Sequence, residues 1–169
     1  MNSYIALLRA VNVGGTGKLP MADLRAMCES AGFREVRTYI ASGNVVLRSA
    51  STAAQVKAAL EASLMRYAGK PVGVLVRTAA EMAAVLADNP FPEAAPNRVV
   101  TIFLDSAPPT DTLATLSHRN GEEVALGRRE LYVHYGVGMA DSKLRIPAAK
   151  RGTGRNMNTV ARLAAMAMK

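Results

Sequence analysis

The order of apolar segments in the first 77 residues is the feature that most constrains the fold. Short strand-like runs alternate there with segments of helical periodicity, and Gly32 and Gly69 stand where the helical segments end. In chain order, the predicted strands and helices occupy residues 3–8, 21–31, 35–40, 45–49, 52–67 and 72–76. This β-α-β-β-α-β order is typical of a split β-α-β, or ferredoxin-like, lobe.

The rest of the chain nearly repeats this order. After a linking helix and loop at residues 78–97, the pattern predicts a strand at 98–104, a helix at 110–117, hairpin strands at 122–126 and 130–135, and a helix at 159–168. We therefore predict an α+β protein of two ferredoxin-like lobes related by duplication, residues 1–77 and 98–169, the second lacking its last strand. An unpaired sheet edge invites pairing. A second copy, a strand from the other lobe or the segment at residues 144–147 would each cover it, so monomer and homodimer stay open.

The composition indicates a soluble cytoplasmic protein. Half of the residues are hydrophobic, which excludes an intrinsically disordered chain. No segment approaches the about 20 apolar residues of a membrane span, so no membrane partner is expected. Cys28 is the only cysteine, and the helical pattern places its thiol on an apolar face, as a packed and inert group. His118 and His134 have no acid or cysteine at a metal-ligand spacing, so we expect no metal and no cofactor.

The charge favours acidic partners. The formal net charge is +8, which attracts phosphorylated ligands or nucleic acid at long range. A basic balance also serves solubility alone, and of the two interpretations we favour solubility. The bases concentrate near the C-terminus, where residues 136–169 carry seven bases and Asp141 as the single acid.

Two polar clusters are predicted to converge at one end of the first sheet. In the split arrangement, the first two strands run toward the same end and the third returns between them, so the loop leaving the first strand meets the tip of the following hairpin. The start of the first helix adds unpaired N–H donors and a positive dipole. The candidate ligand-binding residues are Arg9, Asn12, Gly14, Gly15, Ser42, Gly43 and Asn44. The glycines and asparagines among them also have a structural interpretation, because Gly and Asn are usual turn residues.

A third polar cluster lies before the last helix. It supplies candidates for anion or nucleic-acid contact, namely Lys143, Arg151, Arg155, Asn156 and Asn158. A helix start with nearby bases suits a phosphate. The alternative is that Asn156, Asn158 or Thr159 simply caps the helix.

The sequence resembles a bacterial family known as domain of unknown function 1697. The resemblance runs nearly from end to end, through the strings at residues 4–9, 12–15, 38–45, 89–91, 142–144 and 155–160. The family usually has tryptophan where Met157 stands, and glutamine is common where Ala41 stands. The resemblance implies a two-part α+β fold of duplicated ferredoxin-like units, with no established activity.

Three functions follow as hypotheses. The first is a non-catalytic binding protein for an anionic small ligand. Arg9 would supply charge, and hydrogen bonds would come from Asn12, Ser42 and Asn44. The Gly14-Gly15 amides would form a cradle. The second is nucleic-acid binding by the basic C-terminal third. The third is a small transferase or hydrolase that uses the cleft between the lobes, for which no catalytic residue is assigned.

Overall fold

A computed structural model describes residues 1–9, 19–40, 43–136 and 141–169. Within these ranges the chain forms two four-stranded antiparallel sheets with associated helices, which confirms the predicted α+β class. It divides into two compact units, Met1–Met82 with Leu163–Lys169 and Ala83–Arg162. No helix within the described ranges combines the length and apolar character needed to cross a membrane.

The described residues of the first unit form six elements in the predicted order. They are β1 (Asn2–Leu8), α1 (Met21–Ser30), β2 (Arg34–Thr38), β3 (Asn44–Ser49), α2 (Ala53–Ala68) and β4 (Val74–Thr78), and α3 (Ala79–Ala87) follows. The strand order is β2-β3-β1-β4, with β1 antiparallel to both β3 and β4. The third strand therefore lies between the first two, as the split arrangement predicts.

One face of this sheet and two helices enclose the core of the first unit. Alternate residues of β1 point into it, namely Tyr4, Ala6 and Leu8. The helices contribute Leu24 and Cys28 from α1 and Val56, Leu60 and Leu64 from α2. Cys28 is fully buried, and burial, aided by the carboxylate of Glu29, raises its pKa to about 12, so the thiol is packed and unreactive as expected.

The second unit also holds a four-stranded sheet. Its strands are β5 (Val99–Phe103), β6 (Glu123–Leu126), β7 (Glu130–His134) and β8 (Thr153–Asn156), in the order β6-β7-β5-β8. Short 3₁₀ helices lie at Pro96–Arg98, Thr112–Thr115 and Pro147–Ala149, and α4 (Met157–Ala167) follows β8. The two sheets thus share one strand order. The duplication and the ferredoxin-like assignment stay predictions.

The prediction that the second lobe lacks its last strand is wrong. β8 pairs antiparallel with β5, from Val100 opposite Asn156 to Phe103 opposite Thr153. Its sequence, Thr-Gly-Arg-Asn, has no apolar alternation and therefore no strand signal. Glycine helps it form, because a Cβ on Gly152 would lie 2.7 Å from the carbonyl oxygen of Phe103.

The predicted helix at residues 110–117 is also wrong, since only a 3₁₀ turn forms there, at Thr112–Thr115. The hydroxyl of Thr112 donates to the carbonyl of Pro109 at 2.5 Å, and that of Thr115 donates to the carbonyl of Thr112 at 2.9 Å. Such local side-chain bonds compete with helical ones and keep the segment short.

Candidate functional site

The end of β1, which leads into residue 9, lies next to the tip of the hairpin between β2 and β3. Leu7 lies opposite Asn44 in the register of β1 and β3, and the N–H of Leu8 donates to the carbonyl of Gly43 at 2.9 Å. The described members of the two clusters, Arg9, Gly43 and Asn44, therefore share one end of the sheet. The predicted site residues Asn12, Gly14, Gly15 and Ser42 lie outside the described residues.

Gly73 contacts both the backbone and the side chain of Arg9. The N–H of Arg9 donates to the carbonyl of Gly73 at 2.9 Å, just before β4 begins. A Cβ added to Gly73 would lie 2.9 Å from Cδ and 3.5 Å from Cγ of Arg9, so the arginine stem lies across the glycine. Because glycine has no side chain, position 73 leaves space for the stem of Arg9. The side chain of the half-buried Arg9 is therefore partly ordered by this packing.

Asn44 has an internal role at the hairpin. It is fully buried, and its Nδ2 donates to the carbonyl of Tyr39 at 2.8 Å, while the N–H of Tyr39 donates to the carbonyl of Asn44 at 3.0 Å. Gly43 takes a left-handed φ of 86°, which glycine adopts without strain. Asn44 thus shapes the hairpin end that stands beside Arg9.

The N-cap of the first helix is Pro20, and among the described residues no side chain caps the first turn. Asp23, the acid in that turn, instead accepts a hydrogen bond from the Tyr67 hydroxyl at 2.7 Å. The first-turn N–H groups carry the positive end of the helix dipole, which favours an anion there. The buried Leu19 anchors the chain directly before this turn.

The C-terminal cluster is divided between buried and exposed positions. Arg155 is buried, and Nη1 donates to the hydroxyl of Thr153 at 2.7 Å and to the carbonyl of Gly154 at 2.9 Å. Burial lowers the pKa of Arg155 to about 10. Oδ1 of Asn156 accepts from the N–H of Thr159 at 3.0 Å, which is a helix-capping bond.

The exposed members of that cluster are Lys143, Arg151 and Asn158. Lys143 lines one cavity of the second unit, and Arg151 lines another. The two bases therefore do not meet in one cavity. Met157, where the family usually has tryptophan, is buried and accepts a hydrogen bond from the Thr101 hydroxyl at 3.1 Å. Ala41 lies outside the described residues.

Sequence reasoning did not select Glu122 as a candidate site residue. This residue is buried, and its carboxylate accepts a hydrogen bond from the Ser142 hydroxyl at 2.5 Å, in the wall of a cavity in the second unit. A single glutamate ahead of a short strand gives no periodic signal, and Glu122 and Ser142 are 20 positions apart in the sequence. Among the described residues, no group of three or more His, Cys, Asp or Glu side chains is placed to hold a metal ion.

Comparison with known proteins places the chain in a family. The sequence model described as "Protein of unknown function (DUF1697)" matches residues 1–132. The chain belongs to the DUF1697 family. A solved structure similar to this DUF1697 protein is that of the conserved bacterial protein SP0830 from Streptococcus pneumoniae, with a TM-score of 0.81 and 24% sequence identity. That match covers 98% of each chain and shows a shared fold. No match was found among curated proteins.

Proposed function

We propose that this DUF1697 protein binds a small anionic ligand, without catalysis, at the end of the first sheet. The observation that supports the proposal most is the placement of Arg9, whose stem lies across Gly73 beside the hairpin residue Gly43. A guanidinium presents several N–H donors in a rigid fork that fits a phosphate or carboxylate. A pre-positioned arginine at a sheet end is therefore suited to recognising an oxyanion.

The neighbouring residues complete the proposed pocket. Asn12, Ser42 and the backbone amides of Gly14 and Gly15 supply directional hydrogen bonds in this proposal, and Asn44 holds the hairpin end in place. The first turn of α1 adds a favourable dipole for negative charge. The net charge of +8 raises the local concentration of anions around the whole molecule.

A melting-shift screen against nucleotides, sugar phosphates and oligonucleotides tests this proposal. A ligand at 100 times its Kd raises the stability of the wild-type protein by about 2.7 kcal/mol. We expect Arg9→Gln to remove the shift for a ligand held at this site while leaving the melting temperature of the free protein nearly unchanged.

The matched control is Arg25→Gln. Arg25 is an exposed arginine on α1 that pairs only loosely with Glu29, at 3.7 Å, so the substitution removes the same charge from the same unit. The ligand shift should survive in this variant. Equal shifts in wild type and Arg9→Gln for every ligand that stabilises the protein would refute the proposed site.

A further inference from the structure

We propose that the second unit carries a separate binding site for a small hydroxylated organic anion, in the cavity between the segments at residues 117–122 and 141–145. The cavity measures about 500 Å³, which is within the size range of small-molecule sites. All eight residues that line it carry a polar side-chain group. A polar ligand therefore finds hydrogen-bonding partners on every side of the cavity.

Two links hold the walls of this cavity together. At one end, Ser117 and Arg145 form a backbone bridge, with N···O distances of 3.1 and 2.9 Å. At the other end, the hydroxyl of Ser142 donates to Oε2 of Glu122 at 2.5 Å. His118 and Arg119 follow the bridge on one wall, and Nε of Arg119 donates to the carbonyl of Glu122. The site is consequently formed in the free protein, which reduces the cost of ordering it on binding.

Glu122 is the anchor of the arrangement. Only 3% of it is exposed, and an isolated buried carboxylate would be costly. Here Oε1 accepts from the N–H of Asn120, and the carbonyl of Glu122 accepts from Nε of Arg119. The hydrogen bond from Ser142, followed by that from Asn120, holds the pKa of Glu122 below its ordinary value, so the carboxylate stays ionised at neutral pH.

Two cations and a phenol in the lining can hydrogen-bond an oxyanion, beside the carboxylates of Glu122 and Asp141. Arg119 is oriented through its Nε bond to Glu122, and the exposed Lys143 stands on the opposite wall. Burial, and then the negative charge of Glu122, raises the pKa of Tyr135, so its phenol remains a neutral donor. These three groups supply N–H and O–H donors for a phosphate or carboxylate. Asp141 and Asn120 line the same cavity and supply acceptors for hydroxyl groups.

The two histidines of the chain offer an internal control for a test by NMR. His118 lines the cavity, whereas His134 lies in β7 against Phe91, with ring centroids 5.6 Å apart. The full chain is titrated with glycerol 3-phosphate, with glycerate and, as the neutral control, with glycerol. We expect saturable movement of the His118 ring signals with at least one anion, steady His134 signals and no response to glycerol.

Substitutions then locate the anion. Lys143→Ala removes an exposed side chain and should raise the Kd at least tenfold, as should Arg119→Gln. Arg128→Ala removes an exposed arginine that does not line the cavity and should leave the Kd unchanged. Arg9→Gln should leave it unchanged too, which separates this site from the one proposed on the first unit.

Three results would overturn the proposal. The first is that neither anion moves the His118 signals. The second is that His134 moves in parallel with His118. The third is that the Kd for the anion is the same in Lys143→Ala as in wild type, or that it rises equally in Lys143→Ala and Arg128→Ala. Binding by only one of the two anions supports the site and identifies the oxyanion as phosphate or carboxylate.

Discussion

The polar residues at the end of the first sheet have different structural environments. Arg9 is half-buried with its stem on Gly73, whereas Asn44 is fully enclosed and satisfies the carbonyl of Tyr39. Both residues are polar, but only the first has a side chain with access to solvent. The distinction predicts different outcomes for their substitution.

Asn44→Ala should destabilise the free protein. The substitution removes the donor to Tyr39 and leaves a partly buried carbonyl without that bond, at a cost of about 1–3 kcal/mol. Urea unfolding should show a lower midpoint with an unchanged slope. The control, Asn158→Ala, changes an exposed amide on α4 and should leave the midpoint almost in place. An Asn44→Ala midpoint equal to that of wild type would contradict the assigned role.

At the scale of elements, β8 shows how glycine permits a strand that side chains do not encode. A Cβ on Gly152 would meet the carbonyl oxygen of Phe103 at 2.7 Å and side-chain atoms of Ile102 and Leu104 at 2.8 Å. A Cβ on Gly154 would lie 3.0 Å from a methyl group of Val100, and the next nearest atoms would be 3.9 Å away. Close approach to β5 therefore depends mainly on Gly152.

Gly152→Ala should be costly for this reason. Since the nearest atom belongs to the backbone, relief requires movement of β5, and overpacking of this kind costs about 1–3 kcal/mol. Gly154→Ala, in the same segment, should cost less because a side chain can yield. Amide hydrogen exchange in Thr101 and Phe103 should accelerate in Gly152→Ala. Equal stability of the two variants would show that β8 does not pack as tightly as described.

The elements recovered from the sequence are those with an apolar repeat. The runs that became β1, β3 and β4 and the periodicity of α1 and α2 carried enough signal to give strand order, and with it the proximity of Arg9 to Gly43. β8 lacked that signal, and hydroxyl-to-backbone bonds shortened the helix expected near Thr112. The contact between Gly73 and Arg9 could not be predicted from the sequence. Gly73 has no side chain to produce a pattern, and it is far from Arg9 along the chain.

At the scale of the whole molecule, the net charge is +8, but the C-terminal cluster does not gather its share of that charge on one surface. Arg155 is buried and Asn156 caps α4, so exposed Lys143 and Arg151 are the cluster's cations available to a phosphate backbone. They line separate cavities. We therefore expect these two cations, by themselves, to make few contacts with a long polyanion.

This arrangement predicts weak and mildly salt-dependent binding of oligonucleotides. Two phosphate contacts correspond to a slope of about −2 in log K against log salt concentration for duplex DNA. Fluorescence anisotropy across a salt series measures it, and the double variant Lys143→Ala, Arg151→Ala should flatten the slope toward zero. A slope steeper than about −5 in the wild-type protein would instead support nucleic acid as the main partner.

The substitution Gly73→Ala tests the central claim most directly, because it moves the Arg9 side chain without changing any charge. The new Cβ would lie 2.9 Å from Cδ of Arg9, so the flexible arginine has to leave its position while the backbone remains in place. For an anion that stabilises the wild-type protein through Arg9, calorimetric titration should show at least tenfold weaker binding to Gly73→Ala, with a nearly unchanged melting temperature of the free protein. Wild-type affinity in this folded variant would contradict the account.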